Sequence, residues 1–158
     1  DWYPENQLIL SAGFDHDVLI WNPIVHRRIF TLKGHNHSLV GVKWMPGTNQ
    51  IISADISGMF RVWDARTFTQ SDLQLPGLNE INCLAVTQPP KRIIAGGRSL
   101  VFYDYNEPTG HNLADDEAAI CILYNPVFYT FITAHAKCIK VWDAVNGSLQ
   151  SVFRDLTK

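Results

Sequence analysis

Short runs in which apolar and polar residues alternate recur along the chain, among them LVGVKW at 39–44, MFRVW at 59–63 and CIKVW at 138–142. They are rich in β-branched and aromatic side chains, and a period of two residues predicts half-buried β-strands. Between them lie stretches such as PGTNQ at 46–50, DISG at 55–58 and AVNG at 144–147, whose Gly, Pro, Asn and Asp residues close tight connections. Apolar spacing near 3.6 residues is almost absent, so the pattern predicts an all-β chain.

The strand clusters repeat. Segments that end in an aromatic residue followed by Asp or Asn stand at 20–22 (IWN), 62–64 (VWD), 102–104 (FYD) and 141–143 (VWD). Their aromatic residues Trp21, Trp63, Tyr103 and Trp142 follow one another at roughly 40 residues, the period of a four-stranded propeller blade. A second motif keeps the same register: WYP at 2–4, WMP at 44–46, YNP at 124–126 and a weaker VTQPP at 86–90. In the second repeat the four strands, a, b, c and d in chain order, are expected at 39–44, 50–54, 59–64 and 69–75. The chain divides accordingly into a partial blade at 1–35 holding the last three strands, a blade at 36–76, a degenerate blade at 77–114 and a blade at 115–158. Gly41, Cys83 and Cys121 align on the innermost strand of their blades, where crowding favours a small residue, and the thiols are expected to be buried structural groups.

Gly34-His35 before one strand cluster and Trp63-Asp64 at its end resemble the WD-repeat family, and the four registered repeats extend that resemblance over essentially the whole chain. It implies an all-β WD-repeat β-propeller of about four four-stranded blades, part of a larger ring of the seven-bladed type. A piece of a longer protein, a self-sufficient small ring and a self-associating half-ring all remain open. The family ties each blade together by joining an Asp of the b–c turn, the His of Gly-His, a strand-b Ser or Thr and the strand-c Trp; such a chain satisfies a buried indole and imidazole and stiffens the blade. The first blade offers Ser11, Asp15 and Trp21. The second offers His35, Ser53 and Trp63, but Ser57 stands where Asp is expected and Asp55 is displaced by two residues. The third has Tyr103 for Trp and about Leu78 for His. The fourth keeps Thr133 and Trp142, has Ala136 at the Asp position, and carries Gly110-His111 too far upstream. No blade is expected to hold a complete tetrad. LSAGFDHDVLIWNP, LKGHNHSLVGV and MFRVWD are also similar, more loosely, to the large ciliary WD-repeat proteins that carry EF-hands, which implies a structural part in a ciliary or cytoskeletal assembly.

Composition narrows the function classes. With 46% hydrophobic and 18% charged residues the chain can bury a core, and a formal charge of −2 supplies no general field for nucleic acid or anionic lipid. No apolar run approaches the roughly 20 residues that span a bilayer. DWYPENQ at 1–7 lacks the basic start and apolar middle of a signal peptide, and three cysteines without a CxxC pair fit a reducing, cytoplasmic setting. Neither nucleic acid nor membrane is expected as a partner.

Motifs for nucleophilic, phosphate-binding or zinc chemistry are missing, and GGRS at 96–99 is too short for a phosphate loop. The chain is therefore expected to be no enzyme and to use no cofactor or metal. His35 and His37 could share an ion, but the blade network claims His35. The acidic run 115–117 could attract Ca²⁺ or a basic peptide, although it reads first as a solvated loop. Phe14, His16, Asn36, His37, Ile56, Arg98, His135 and Lys137 fall on the b–c turns and d–a connections, which share one face of a propeller. That face is the expected binding surface for a protein or peptide, with the remainder of the propeller or a second copy as the other partner.

Overall fold

The computed structural model describes residues 1–71, 80–88, 91–105 and 111–154, without the side chains of 111–114. The described chain contains no helix, and none is therefore long and apolar enough to cross a membrane. It forms four antiparallel sheets of four strands, in two compact units, Asp1–Leu78 and Asn79–Lys158.

The first unit holds two sheets. Sheet 1 contains β1 (Trp2–Tyr3), β2 (Leu8–Ala12), β3 (Val18–Asn22) and β4 (Arg27–Leu32). Sheet 2 contains β5 (Leu39–Met45), β6 (Gln50–Asp55), β7 (Phe60–Asp64) and β8 (Thr69–Gln70); the rest of the strand expected at 69–75 lies outside the described residues. In the second unit, sheet 3 comprises β9 (Ile81–Thr87), β10 (Arg92–Gly97), β11 (Leu100–Asp104) and β12 (His111–Asp115), and sheet 4 comprises β13 (Cys121–Asn125), β14 (Thr130–Ala134), β15 (Cys138–Asp143) and β16 (Leu149–Arg154). Each strand pairs with its neighbour in sequence, as expected for successive hairpins whose turns carry Gly, Pro, Asn and Asp.

Alternation along the strands decides which side chains are buried. Between sheets 1 and 2, Leu10, Val18 and Ile20 meet Val42, Trp44, Ile51 and Trp63, and Tyr3 stacks on Trp44 with ring centroids 3.8 Å apart. Between sheets 3 and 4, Ile94, Leu100 and Phe102 meet Ile122, Phe131 and Trp142. Tyr124 ties the second pair further by donating to the Gln88 carbonyl at 2.9 Å.

The three cysteines have separate fates. Cys83 is half-buried with its thiol 3.5 Å from the Gly96 carbonyl, and burial, then the neighbouring Cys121, push its pKa up to about 12. Cys138 is buried, but Cys121 is exposed. The expectation of a buried thiol at Cys121 is thus corrected: β13 leaves that alternate position uncovered.

The tightest backbone approach is at the end of β10. A Cβ placed on Gly97 would lie 1.9 Å from the Glu80 carbonyl oxygen, whereas one on Gly13, the corresponding residue after β2, would meet nothing closer than Asp15 Oδ1 at 3.5 Å. Gly97→Ala is therefore expected to lower stability by roughly 1–3 kcal/mol, since backbone cannot give way as a side-chain tip can. Gly13→Ala should change it little. Urea unfolding of the two variants checks this, and equal midpoints would contradict it.

Candidate functional site

The polar centre of sheet 2 is a continuous buried chain. Trp63 lies opposite Ile51 across the β6–β7 pair, and its indole Nε1–H donates to Ser53 Oγ at 2.8 Å. Ser53 Oγ is 2.7 Å from His35 Nε2, and His35 Nδ1 is 2.8 Å from Asp55 Oδ2. The other carboxylate oxygen of Asp55 accepts from Ser57 N–H, Ser57 Oγ–H and Met59 N–H. Every donor finds an acceptor when His35 is neutral with its proton on Nδ1. Burial holds the imidazole below its ordinary 6.5 against the opposite pull of Asp55. Burial also works against the Asp55 carboxylate, but the bonds from Ser57, His35 and Met59 outweigh it and keep its pKa below the usual range.

Sheet 2 therefore holds a complete tetrad, which corrects the expectation that no blade does. The missed residue is Asp55. Ser53 and Asp55 stand two apart at the end of one strand and so share a face, which lets Asp55 reach His35 directly while Ser57 only caps it.

Sheet 4 arranges the same chemistry with the partners exchanged. Trp142 lies opposite Phe131 and donates to Thr133 Oγ1 at 2.9 Å, and Thr133 Oγ1 is 2.8 Å from His135 Nε2. His135 thus stands two residues beyond the hydroxyl, where sheet 2 has Asp55. The amides of Leu39 and Ala119 bond the Gly13 and Gly97 carbonyls, each at 3.0 Å, and four residues before each stand His35 and Asp115. An imidazole and a carboxylate have changed places. The exchanged pair does not bond directly, since His135 Nε2 and Asp115 Oδ2 are 3.9 Å apart. His135 Nδ1 instead lies 3.0 Å from the Ala118 carbonyl. Asp115 bonds Lys140, and Glu117 meets the same ammonium at 2.7 Å.

His135 is thus buried and committed on both ring nitrogens, so its expected place on the binding face is corrected; directly after the end of β14, its ring is held inward by Thr133 and the Ala118 carbonyl. Ligating atoms of Asp115, Glu117 and His135 lie within 4.8 Å of one another, but the Lys140 ammonium already sits against both carboxylates. Its bonds hold Glu117 below the usual carboxylate range, and in Asp115 they outweigh the opposing effect of burial. Asp115 and Glu117 of the acidic run therefore fasten β15 through Lys140, while Asp116 between them is exposed.

The remaining two sheets keep less of the network. In sheet 1, Trp21 donates to Ser11 Oγ at 2.8 Å on an exposed face, while Asp15 is exposed on the β2–β3 turn and joins neither. Sheet 3 places Tyr103 opposite Ile93, with Ala95 where the hydroxyl would be. Leu78 and Gly110 lie outside the described residues, as does the His111 side chain.

Residues 26–64, which run from the end of the β3–β4 turn to the end of β7, match the model of the WD domain, G-beta repeat. The chain carries a WD repeat. Almost the whole chain is also similar to cilia- and flagella-associated protein 337 B of Tetrahymena thermophila, at 34% identity over 96% of this chain and 12% of that protein. A periodic tryptophan protein 2 homolog of Dictyostelium discoideum is 28% identical over 89% of this chain and 16% of its own length. Nuclear distribution protein nudF 1 of Talaromyces marneffei is 39% identical over 38% of this chain and 13% of its own. The chain thus spans less than a fifth of each of these WD-repeat relatives. All four sheets have the strand number and order of WD-repeat blades.

At the b–c end of the first unit, backbone bonds gather the loops around the WD repeat. Leu39 N–H donates to the Gly13 carbonyl and Ile56 N–H to the Ser38 carbonyl, both at 3.0 Å. These bonds bring the β2–β3 turn, the connection before β5 and the β6–β7 turn side by side. Phe14 is 90% exposed there and Ile56 50%, with His16, Asn36 and His37 exposed around them. In the second unit Arg98 is exposed but paired with Glu80 at 2.8 Å, and Lys137 is exposed on the β14–β15 turn.

The tetrad has a pH signature. Because the folded-state pKa of His35 lies below 6.5, the unfolded chain binds the proton more readily. The corresponding stability is present above pH 6.5 and is lost as pH falls below it through the folded value. Asp55, lowered from 3.8, adds a second loss in stronger acid. The melting temperature should therefore fall between pH 7 and pH 5 in the wild type, and His35→Gln, less stable at pH 7 by roughly 1–3 kcal/mol, should flatten that fall. Parallel pH profiles would contradict the assignment.

Proposed function

We propose that the chain is a non-catalytic protein-interaction scaffold that binds a protein or peptide through the loops at the b–c end of its blades. The observation that carries this reading is the group of Phe14, Asn36, His37 and Ile56, exposed together on loops that backbone bonds hold to one another. Leaving a phenylalanine 90% exposed on a short turn forgoes the free energy of burying it, which a partner can supply. The neighbouring Asn and His side chains add directed hydrogen bonds at the rim. Arg98 and Lys137 serve the same end of the second unit, Arg98 after leaving Glu80. The buried Ser, Thr, His and Asp side chains are committed to hydrogen bonds with one another, which favours a structural rather than a catalytic role for them.

The similarity of nearly the whole chain to a cilia- and flagella-associated protein supports placing this scaffold in a ciliary or flagellar assembly. In that setting the four blades, at 1–35, 36–76, 77–114 and 115–158, belong to a larger ring. The exposed Trp2, Ile9 and Trp21 of sheet 1 occupy the strand positions by which sheet 2 receives its neighbour, and a further blade covers them.

Phe14→Ser combined with Ile56→Ser in the full-length protein tests the binding face. Capture of proteins from ciliary extract should drop severalfold while the melting temperature stays within a few degrees of the wild type. Unchanged capture by the folded variant would overturn the assignment.

A further inference from the structure

Three a–b hairpins share one length and an opening proline, and the first and third also share a backbone frame, left-handed at the fourth residue, where the second has its positive φ at Gly47. Between β1 and β2, between β5 and β6, and between β13 and β14, the chain turns over four residues that open on a proline: Pro4-Glu5-Asn6-Gln7, Pro46-Gly47-Thr48-Asn49 and Pro126-Val127-Phe128-Tyr129. The first two are polar or small at every position after the proline. The third carries three consecutive apolar or aromatic side chains, with Val127 and Phe128 each 74% exposed and Tyr129 45%. The frame does not require them, since Gln7 and Tyr129 hold the same left-handed backbone, φ 53° and 51°.

The turn is stiff. Val127 N–H donates to Asn125 Oδ1 at 3.0 Å. The Tyr129 carbonyl accepts from Ala144 N–H at 2.8 Å, which fastens the hairpin to the adjoining β15–β16 turn, where Val145 is 55% exposed. That second turn is fixed in its own right, because Asp143 Oδ1 accepts from the amides of Val145 and Asn146 and Arg92 donates to the carbonyls of Ala144 and Val145. The backbone of the two turns therefore loses little conformational freedom on binding.

We propose that Val127, Phe128 and Tyr129, with Val145 beside them, form an apolar knob that seats in an apolar pocket of a protein partner. This second interaction surface lies at the end of sheet 4 opposite the β14–β15 turn. A convex tip needs its partner to supply the concavity, and Phe and Tyr are side chains that dominate such contacts. Charge decides against a bilayer. Neither turn contains a Lys or Arg, the Asp143 carboxylate is used on its own turn, and the nearby Arg92 guanidinium is spent on carbonyls. Anionic lipid would find no cation on either turn, and so short an apolar tip does not anchor a protein to a membrane unaided.

The internal repeat supplies the test. Val127→Glu with Phe128→Asn transplants the Glu5-Asn6 pair of the first hairpin into the same frame, and Phe128→Leu keeps the knob apolar. A photo-crosslinking side chain at position 128 of the full-length protein in its own cells identifies the neighbour, which is then purified for direct binding. The double variant should bind it about tenfold more weakly or worse, Phe128→Leu within about threefold, and Val25→Ser, at an exposed apolar position on the β3–β4 turn, as well as the wild type. If the double variant melts early, Phe128→Ser alone replaces it with the same expectation. Equal binding by the polar variants, adducts to lipid alone, or no adduct at all would each overturn the proposal.

Discussion

A buried indole N–H costs free energy until it finds an acceptor, and in sheets 2 and 4 that acceptor is a hydroxyl on the neighbouring strand, a bond that the exposed Trp21 repeats in sheet 1. Trp21, Trp63 and Trp142 donate to Ser11, Ser53 and Thr133. That bond fixes more than its own two residues. It ties the two central strands together and aims the hydroxyl at the histidine, in a register that sheet 3 keeps without the bond through its apolar alternation alone. In sheets 2 and 4 an imidazole then receives the hydroxyl and passes the demand for a partner onward, to a carboxylate or to a backbone carbonyl. The stiffness of such a chain depends on every member being satisfied.

The exchange of His35 and Asp55 for Asp115 and His135 shows what the repeat conserves physically. An acceptor of the hydroxyl proton is needed near the same point in space, and it can arrive from the connection or from the strand. The cost of the exchange is visible in sheet 4, where the carboxylate no longer reaches the imidazole and is neutralised by Lys140 instead. Two solutions to one satisfaction problem stand within a single chain.

Strand pattern and period made the four sheets legible in the sequence, because alternation and turn chemistry are local properties. The polar networks were only half legible. Ser53, Trp63, Thr133 and Trp142 could be placed by register, but the aspartate was expected at Ser57 and His135 on the binding face, whereas Asp55 ends β6 and His135 directly follows β14, each two residues beyond the hydroxyl. Parity along the strand was the signal that could have found them. The roles of Asp115 and Glu117 depended on Lys140, some 25 residues away, and nothing local announces such a pair. The bonded strands hold their shape, while the apolar side chains of the turns, Phe14 and Ile56 at one repeat position and the 127–129 turn at another, stand in solvent.

Hydrogen exchange of the indole N–H groups tests the central claim most directly. Trp63, buried and bonded to Ser53, should exchange slowly, with its protection lost in Ser53→Ala, while Trp21, bonded to Ser11 on a face 37% exposed, should exchange markedly faster. Equal exchange at the two indoles, or protection of Trp63 that survives Ser53→Ala unchanged, would contradict the account.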